Sequence, residues 1–202
     1  VIDGCRAAGL EPGDLCAVIS DRPGEIPSLL PEGMAAAVQA ERRGTGHAVM
    51  SARAFLEDRP GRDILVLCGD APFISAEVIA QSLQVHREAK NAMTVIAAVL
   101  PEGGGYGRIL REGGGVRIVE RADATEAQLA IREINSGCYW FEQGALLEAL
   151  THLGCQNAQG EYYLTDSLEI LQKLGRRVGV FSCEDPFIAL GANSREDLSR
   201  LN

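Results

Sequence analysis

Short β-rich runs alternate along this 202-residue chain with stretches of helical periodicity, and that alternation is the pattern of βα units around a mainly parallel sheet. Residues 15–20, 36–40, 64–69 and 94–100 read as core strands, with further strands expected at 107–111, 116–120, 133–141, 178–183 and 187–190. Between them, Ala48, Ala52 and Phe55, with Val49 and Leu56, mark one amphipathic helix. Ile79 and Leu83, with Val78 and Val85, mark a second. Leu164, Leu168 and Leu171 mark a third, which Gly175 stops. Glu112-Gly113-Gly114-Gly115 is turn chemistry that suits a hairpin, so 107–111 and 116–120 are expected to pair and to project as a flap. No repeat or long linker divides the chain. The expectation is one α/β domain over residues 1–202, with a Rossmann-like, mostly parallel sheet flanked by helices and a projecting β-hairpin.

Hydrophobic residues at 46% and charged residues at 23% are ordinary globular usage, which argues against disorder. The longest apolar stretches, 93–100 and 64–68, fall well short of the ~20 residues that span a bilayer. Residues 1–6 carry no basic or long apolar region of a signal peptide and read as a chain begun mid-element. The six cysteines show no C-x-x-C and no metal-like pairing with histidine. Cys16, Cys68, Cys138 and Cys183 lie in apolar runs as small buried hydrophobes, which favours a reducing cytoplasm. A net charge of −9 opposes attraction to phosphate backbones, so nucleic acid is not an expected partner, and neither is a membrane. An anionic substrate would need local cations, from a metal ion or a few placed Lys and Arg residues.

Four groups of residues carry chemistry. In the run Gln39-Ala40-Glu41-Arg42-Arg43-Gly44-Thr45-Gly46-His47-Ala48, a strand end passes through a glycine pair into a helix. Such a turn either grips a base or phosphate through backbone N–H groups or is an ordinary βα loop. In Cys68-Gly69-Asp70, a hard carboxylate stands just past a buried strand, where open α/β sheets bind ligands. It suits Mg²⁺, or caps the turn before Pro72. Gly105-Tyr106-Gly107-Arg108 leads into the hairpin, and Glu120 ends its return strand as an acceptor. Asn135, the run 157–166 with Tyr163 and Thr165, and Asn193 supply neutral amides and hydroxyls suited to carbohydrate. Asn193 is also a possible second metal ligand.

Taken in this order, these segments resemble the uridyltransferase domain of the bifunctional N-acetylglucosamine-1-phosphate uridyltransferase/glucosamine-1-phosphate acetyltransferase family, with the runs 39–48 and 157–166 the specific parts. The resemblance implies the nucleotide-diphospho-sugar transferase fold and transfer of a uridylyl group from UTP to N-acetylglucosamine 1-phosphate, giving UDP-N-acetylglucosamine and pyrophosphate. It implies that Gln39, Gly44 and Thr45 contact the uridine side. Asp70 and Asn193 would be catalytic through Mg²⁺, with Cys68 and Gly69 lining the phosphate-sugar region. Gly107, Glu120, Asn135, Tyr163 and Thr165 would bind the N-acetylglucosamine moiety.

The chain departs from the family pattern in three ways. The family's glycine-rich Leu-x-x-Gly-x-Gly-Thr-Arg-Met loop and following Pro-Lys do not occur, so the domain is expected to be N-terminally incomplete and, alone, to turn over poorly. Cys68 stands where relatives often carry Tyr. The β-helix through which full-length members trimerise and transfer acetyl groups is absent from the sequence. A related transferase of other specificity and a noncatalytic nucleotide-sugar binding module are the alternatives. A dinucleotide oxidoreductase is disfavoured because Val49 stands where the G-x-G-x-x-G fingerprint needs glycine.

Overall fold

The computed structural model describes residues 1–69, 74–157, 159–185 and 188. Eight strands are present among them: β1 Cys16–Ser20, β2 Ala35–Gln39, β3 Asp63–Val66, β4 Met93–Val99, β5 Arg108–Glu112, β6 Gly115–Val119, β7 Glu133–Glu142 and β8 Val178–Cys183. The helices are α1 Ile2–Ala7, α2 Ile26–Leu29, α3 Thr45–Ser51, α4 Arg53–Glu57, α5 Ala76–Glu88, α6 Glu126–Leu129, α7 Gln143–His152 and α8 Asp166–Lys173.

β1 and β2 form a parallel pair of their own. The other six strands make one sheet in the order β6-β5-β7-β4-β8, with β3 also on β7. The long strand β7 is the organiser. Its C-terminal half lies between β3 and β4, so that Tyr139 is opposite both Val66 and Val95, while Ile134 near its start pairs with Arg108 of β5. Because β7 runs antiparallel to β3, β4 and β5, these three point the same way, as does β8, which is parallel to β4. The α/β class therefore holds with a mixed sheet, in which β6 and β7 run against the parallel majority.

Side-chain alternation along β4 and β7 divides the core into two layers, one on each face. Met93, Val95, Ala97, Tyr139 and Phe141 pack with Leu146, Ala149 and Leu150 of α7 and Leu168 and Leu171 of α8. Ile96, Ala98, Cys138 and Trp140 pack on the other side with Cys5 of α1 and Val78 and Ile79 of α5. A strand covered on both faces reads as an unbroken apolar run, which is why 94–100 was legible as central. The helix expected through Ala48, Ala52 and Phe55 is split: at Ala52 the ladder tightens to a bond from its N–H to the Val49 carbonyl, and α4 begins afresh. The hairpin β5–β6 turns on Gly113 and Gly114, both at positive φ (58° and 81°) as a two-residue turn demands. It is tied to α8, since Gln172 accepts the Val116 N–H at 3.0 Å and donates to the Val116 carbonyl at 2.8 Å. The expected strand 187–190 lies outside the described residues except for Ile188, which is buried.

All six cysteines are free thiols. Among the described residues no helix is long and apolar enough to cross a membrane.

One buried polar group makes the core pH-sensitive. His86 of α5 is 1% exposed, with Nδ1 2.8 Å from the Thr94 hydroxyl and Nε2 3.4 Å from an Asp63 oxygen. Burial lowers its pKa, against the smaller upward pull of Asp63. The unfolded chain therefore takes up a proton near the ordinary histidine pKa of about 6.5 while the folded chain still does not. Stability from this group is complete above that pH and is lost as pH falls below it. The urea midpoint is expected to be lower at pH 5.5 than at pH 7.5, and that difference should shrink in His86→Gln.

Candidate functional site

The run 39–48 meets the run 157–166 backbone to backbone. The Tyr162 N–H donates to the Arg43 carbonyl at 2.8 Å, the Gly46 N–H donates to the Tyr162 carbonyl at 2.8 Å, and the Leu164 N–H donates to the Thr45 hydroxyl at 3.0 Å. Such contact leaves no room for side chains. A Cβ on Gly44 would lie 2.5 Å from the Tyr162 oxygen, and one on Gly46 would lie 2.7 Å from the Leu153 side chain. The glycine pair is thus explained by the close approach of the second segment, and the Gly46 N–H is spent on that segment. Gln39 braces the same loop, its amide nitrogen 3.0 Å from the Gly44 carbonyl and 3.1 Å from His47 Nδ1. Arg43 lays its guanidinium 5.1 Å from the Tyr162 ring centre. Asn157 closes its own loop, accepting the Glu161 N–H at 3.1 Å and donating to the Glu161 carbonyl.

Beside this joint opens a cleft lined by β1, by β3 and the residues that follow it, and by the ends of β6 and α8. Of the residues singled out in the sequence, Thr45, Cys68, Gly69, Glu120, Asn135, Tyr163 and Thr165 line it together. Gln39, Gly44 and Gly107 do not, but each supports one that does. Gln39 and Gly44 shape the loop that ends in Thr45. The Gly107 carbonyl accepts the Asn135 N–H at 2.9 Å. A side-chain carbon on Gly107 would lie 3.1 Å from the Ile118 side chain and 3.3 Å and 3.4 Å from the two Glu120 carboxylate oxygens, so Gly107 stands directly beside that carboxylate. Asp70 and Asn193 lie outside the described residues, Asp70 directly after Gly69.

The electrostatics mark the same corner. Tyr163 keeps its proton: burial, then the negative charges of Glu161, Glu120 and Asp166, raise its pKa. Tyr139 is pushed further up by burial, opposed by its hydrogen bond to Asn135. Asp166 is raised by burial and then by Glu169. Neutral hydroxyls and amides beside the carboxylate of Glu120 make a donor-and-acceptor surface for a polyhydroxylated ligand. Cys68, at the end of β3, donates its thiol to the Gly137 carbonyl at 3.4 Å and presents no phenol.

The parts played by two residues near this corner were not read from sequence. Arg108 is 2% exposed, and its guanidinium donates to the Tyr106 and Gly104 carbonyls, moulding the loop before β5. The other is Tyr139, four residues after Asn135 in β7, with its hydroxyl on the Asn135 amide. A tyrosine in an otherwise apolar strand end was the available signal.

The family model described as "Nucleotidyl transferase" matches residues 27–184. The chain is 41% identical over 196 residues to the "Bifunctional protein GlmU" of Acetivibrio thermocellus, a match covering 96% of this chain and 42% of that protein. The GlmU of Brevibacillus brevis is 42% identical over 194 residues (95% and 42%), and that of Syntrophotalea carbinolica is 47% identical over 165 residues (81% and 35%). The chain thus spans about two fifths of the length of the curated relatives it matches. Among solved structures, a Bacillus anthracis protein provisionally named as a glucose-1-phosphate thymidylyltransferase, in complex with a sucrose, superposes with a TM-score of 0.75 over all of this chain and 78% of its own. Its identity is only 15%, so the likeness is one of fold.

Proposed function

The chain belongs to the nucleotidyl transferase family, and from that premise we propose that it joins the uridylyl group of UTP to N-acetylglucosamine 1-phosphate, releasing pyrophosphate. The observation that carries this reading is the joint between residues 39–48 and 157–166, which brings Thr45 into the cleft that Glu120, Asn135, Tyr163 and Thr165 also line. One side then serves a base and ribose, the other a sugar with an amide substituent.

In the proposed reaction a phosphate oxygen of the sugar phosphate attacks the α-phosphorus of UTP. A new P–O bond forms in line with the α–β P–O bond that breaks, and pyrophosphate leaves with that electron pair. The attacking oxygen is already ionised near neutral pH, so positioning and charge neutralisation matter more than a general base. The residues of this chain position. Thr45 and the loop braced by Gln39 seat the uridine, while Glu120, Asn135 and Tyr163 orient the sugar so that its phosphate points past Gly69. Asp70 and Asn193 offer hard oxygen donors of the kind Mg²⁺ takes, and would hold the ion. Mg²⁺ bound there supplies neutralisation of phosphate charge.

Pyrophosphate release measured across a panel of nucleoside triphosphates and sugar 1-phosphates tests this. The highest kcat/KM is expected with UTP and N-acetylglucosamine 1-phosphate. A clear preference for another pair would replace the proposed specificity, and binding without any release, even when the family's glycine-rich loop is supplied, would support a noncatalytic module.

A further inference from the structure

Opposite β4, strand β7 carries two extra residues. Ile96 pairs with Cys138, but the next residue, Ala97, pairs with Asn135, leaving Ser136 and Gly137 as a bulge. Its shape is fixed internally. Ser136 donates its hydroxyl to the Ile96 carbonyl at 2.5 Å and accepts the Cys138 N–H at 3.2 Å, while Gly137 adopts φ +79°. That conformation turns the Gly137 N–H back onto Asn135 Oδ1 at 3.1 Å.

A backbone N–H only donates, so the end of the Asn135 amide it meets must be the oxygen, and the ambiguity of an asparagine side chain is removed. The Tyr139 hydroxyl completes the arrangement. It accepts from Asn135 Nδ2 at 2.9 Å and donates to Oδ1 at 3.1 Å. We infer that Tyr139 is a positioning residue that, together with the Gly137 N–H, holds the Asn135 amide in one orientation, leaving its second Nδ2–H in the cleft to donate to a carbonyl or hydroxyl oxygen of the sugar. This rests on the reading that the cleft takes a nucleotide sugar. Packing alone does not call for the hydroxyl, since Tyr139 stacks in the core against Phe141 with ring centres 6.2 Å apart, and phenylalanine would fill the same volume.

Calorimetric titration of the chain with UDP-N-acetylglucosamine and, separately, with UTP tests the inference. Tyr139→Phe should weaken UDP-N-acetylglucosamine binding about tenfold, the value of one hydrogen bond of about 1.4 kcal/mol, and leave UTP within about twofold. Because Tyr139 acts through Asn135, the double variant Tyr139→Phe/Asn135→Ala should bind no more weakly than Asn135→Ala alone. Asn135→Asp, which keeps the acceptor and loses the donor, should bind as poorly as Asn135→Ala. Additive losses, equal losses for UTP, unchanged binding in Tyr139→Phe, or full binding by Asn135→Asp would each overturn it. If the unaltered chain does not bind UDP-N-acetylglucosamine, the reading of the site fails and the inference falls with it. If the chain binds and the variants behave otherwise, only the inference fails.

Discussion

Gly44→Ala is expected to lower the free energy of unfolding by about 2 to 4 kcal/mol. Two penalties act together. Gly44 sits at φ 97° and ψ 174°, a region open essentially to glycine alone. The added carbon would also lie 2.5 Å from the Tyr162 carbonyl oxygen and 3.0 Å from the Tyr162 nitrogen, both backbone atoms that cannot swing away. Relief of that clash has to separate the two segments and break the bonds from Tyr162 to Arg43 and from Gly46 to Tyr162. Gly61 provides the control. It has φ 70° but nothing within 4 Å of an added carbon, so Gly61→Ala should cost only about 1 kcal/mol. Urea denaturation of the two variants measures the difference. Equal losses would mean that the joint contributes nothing beyond local backbone strain.

In a protein that also carries the family's glycine-rich loop, Asp70→Ala is expected to reduce Mg²⁺-dependent pyrophosphate release by about 100-fold or more, with affinity for UDP-N-acetylglucosamine largely kept. Both substrates are anionic and the chain carries a net charge of −9, so the reaction depends on cations concentrated at the phosphates. Asp70, a hard carboxylate directly after Gly69, is the residue proposed to hold such a cation. Asp70→Asn keeps an oxygen donor but loses the charge, and should raise the Mg²⁺ concentration needed for half-maximal rate. Full activity in Asp70→Ala would remove this residue as a metal ligand.

Much of the fold was readable because its cause is local. The run 94–100 is apolar but for Thr94, and residues 93–98 are completely buried between two layers of helices. Gly113 and Gly114 could only turn a hairpin, and α8 ends at Gly175 as expected, its last turn closed by the Arg176 N–H on the Leu171 carbonyl. Other features depend on partners distant in sequence. A strand's own residues do not report its direction relative to its partners, so nothing in 133–141 announced that β7 runs against its neighbours. Helix α7 was overlooked although Ala145, Leu146, Ala149 and Leu150 carry helical spacing, since so short an apolar run reads equally well as core of any kind.

The site divides in the same way. Thr45, Glu120 and Asn135 were legible as polar groups at the ends of strands or the start of a helix, where βα loops converge. That Gly44 and Gly46 answer to Tyr162 and Leu153, more than a hundred positions later in the chain, was not. Nor was Tyr139, whose hydroxyl acquires a purpose only once the bulge at Ser136 and Gly137 has turned Asn135 toward it.

The central claim is that the cleft selects uridine on one side and an acetamido sugar on the other. Calorimetric titration with UDP-N-acetylglucosamine, UDP-glucose and GDP-mannose tests it most directly, because it needs no turnover. The account predicts saturable binding of UDP-N-acetylglucosamine at one site per chain, at least about tenfold weaker binding of UDP-glucose, whose sugar lacks the acetamido group, and no binding of GDP-mannose. Equal affinity for UDP-glucose, or binding of GDP-mannose alone, would contradict it.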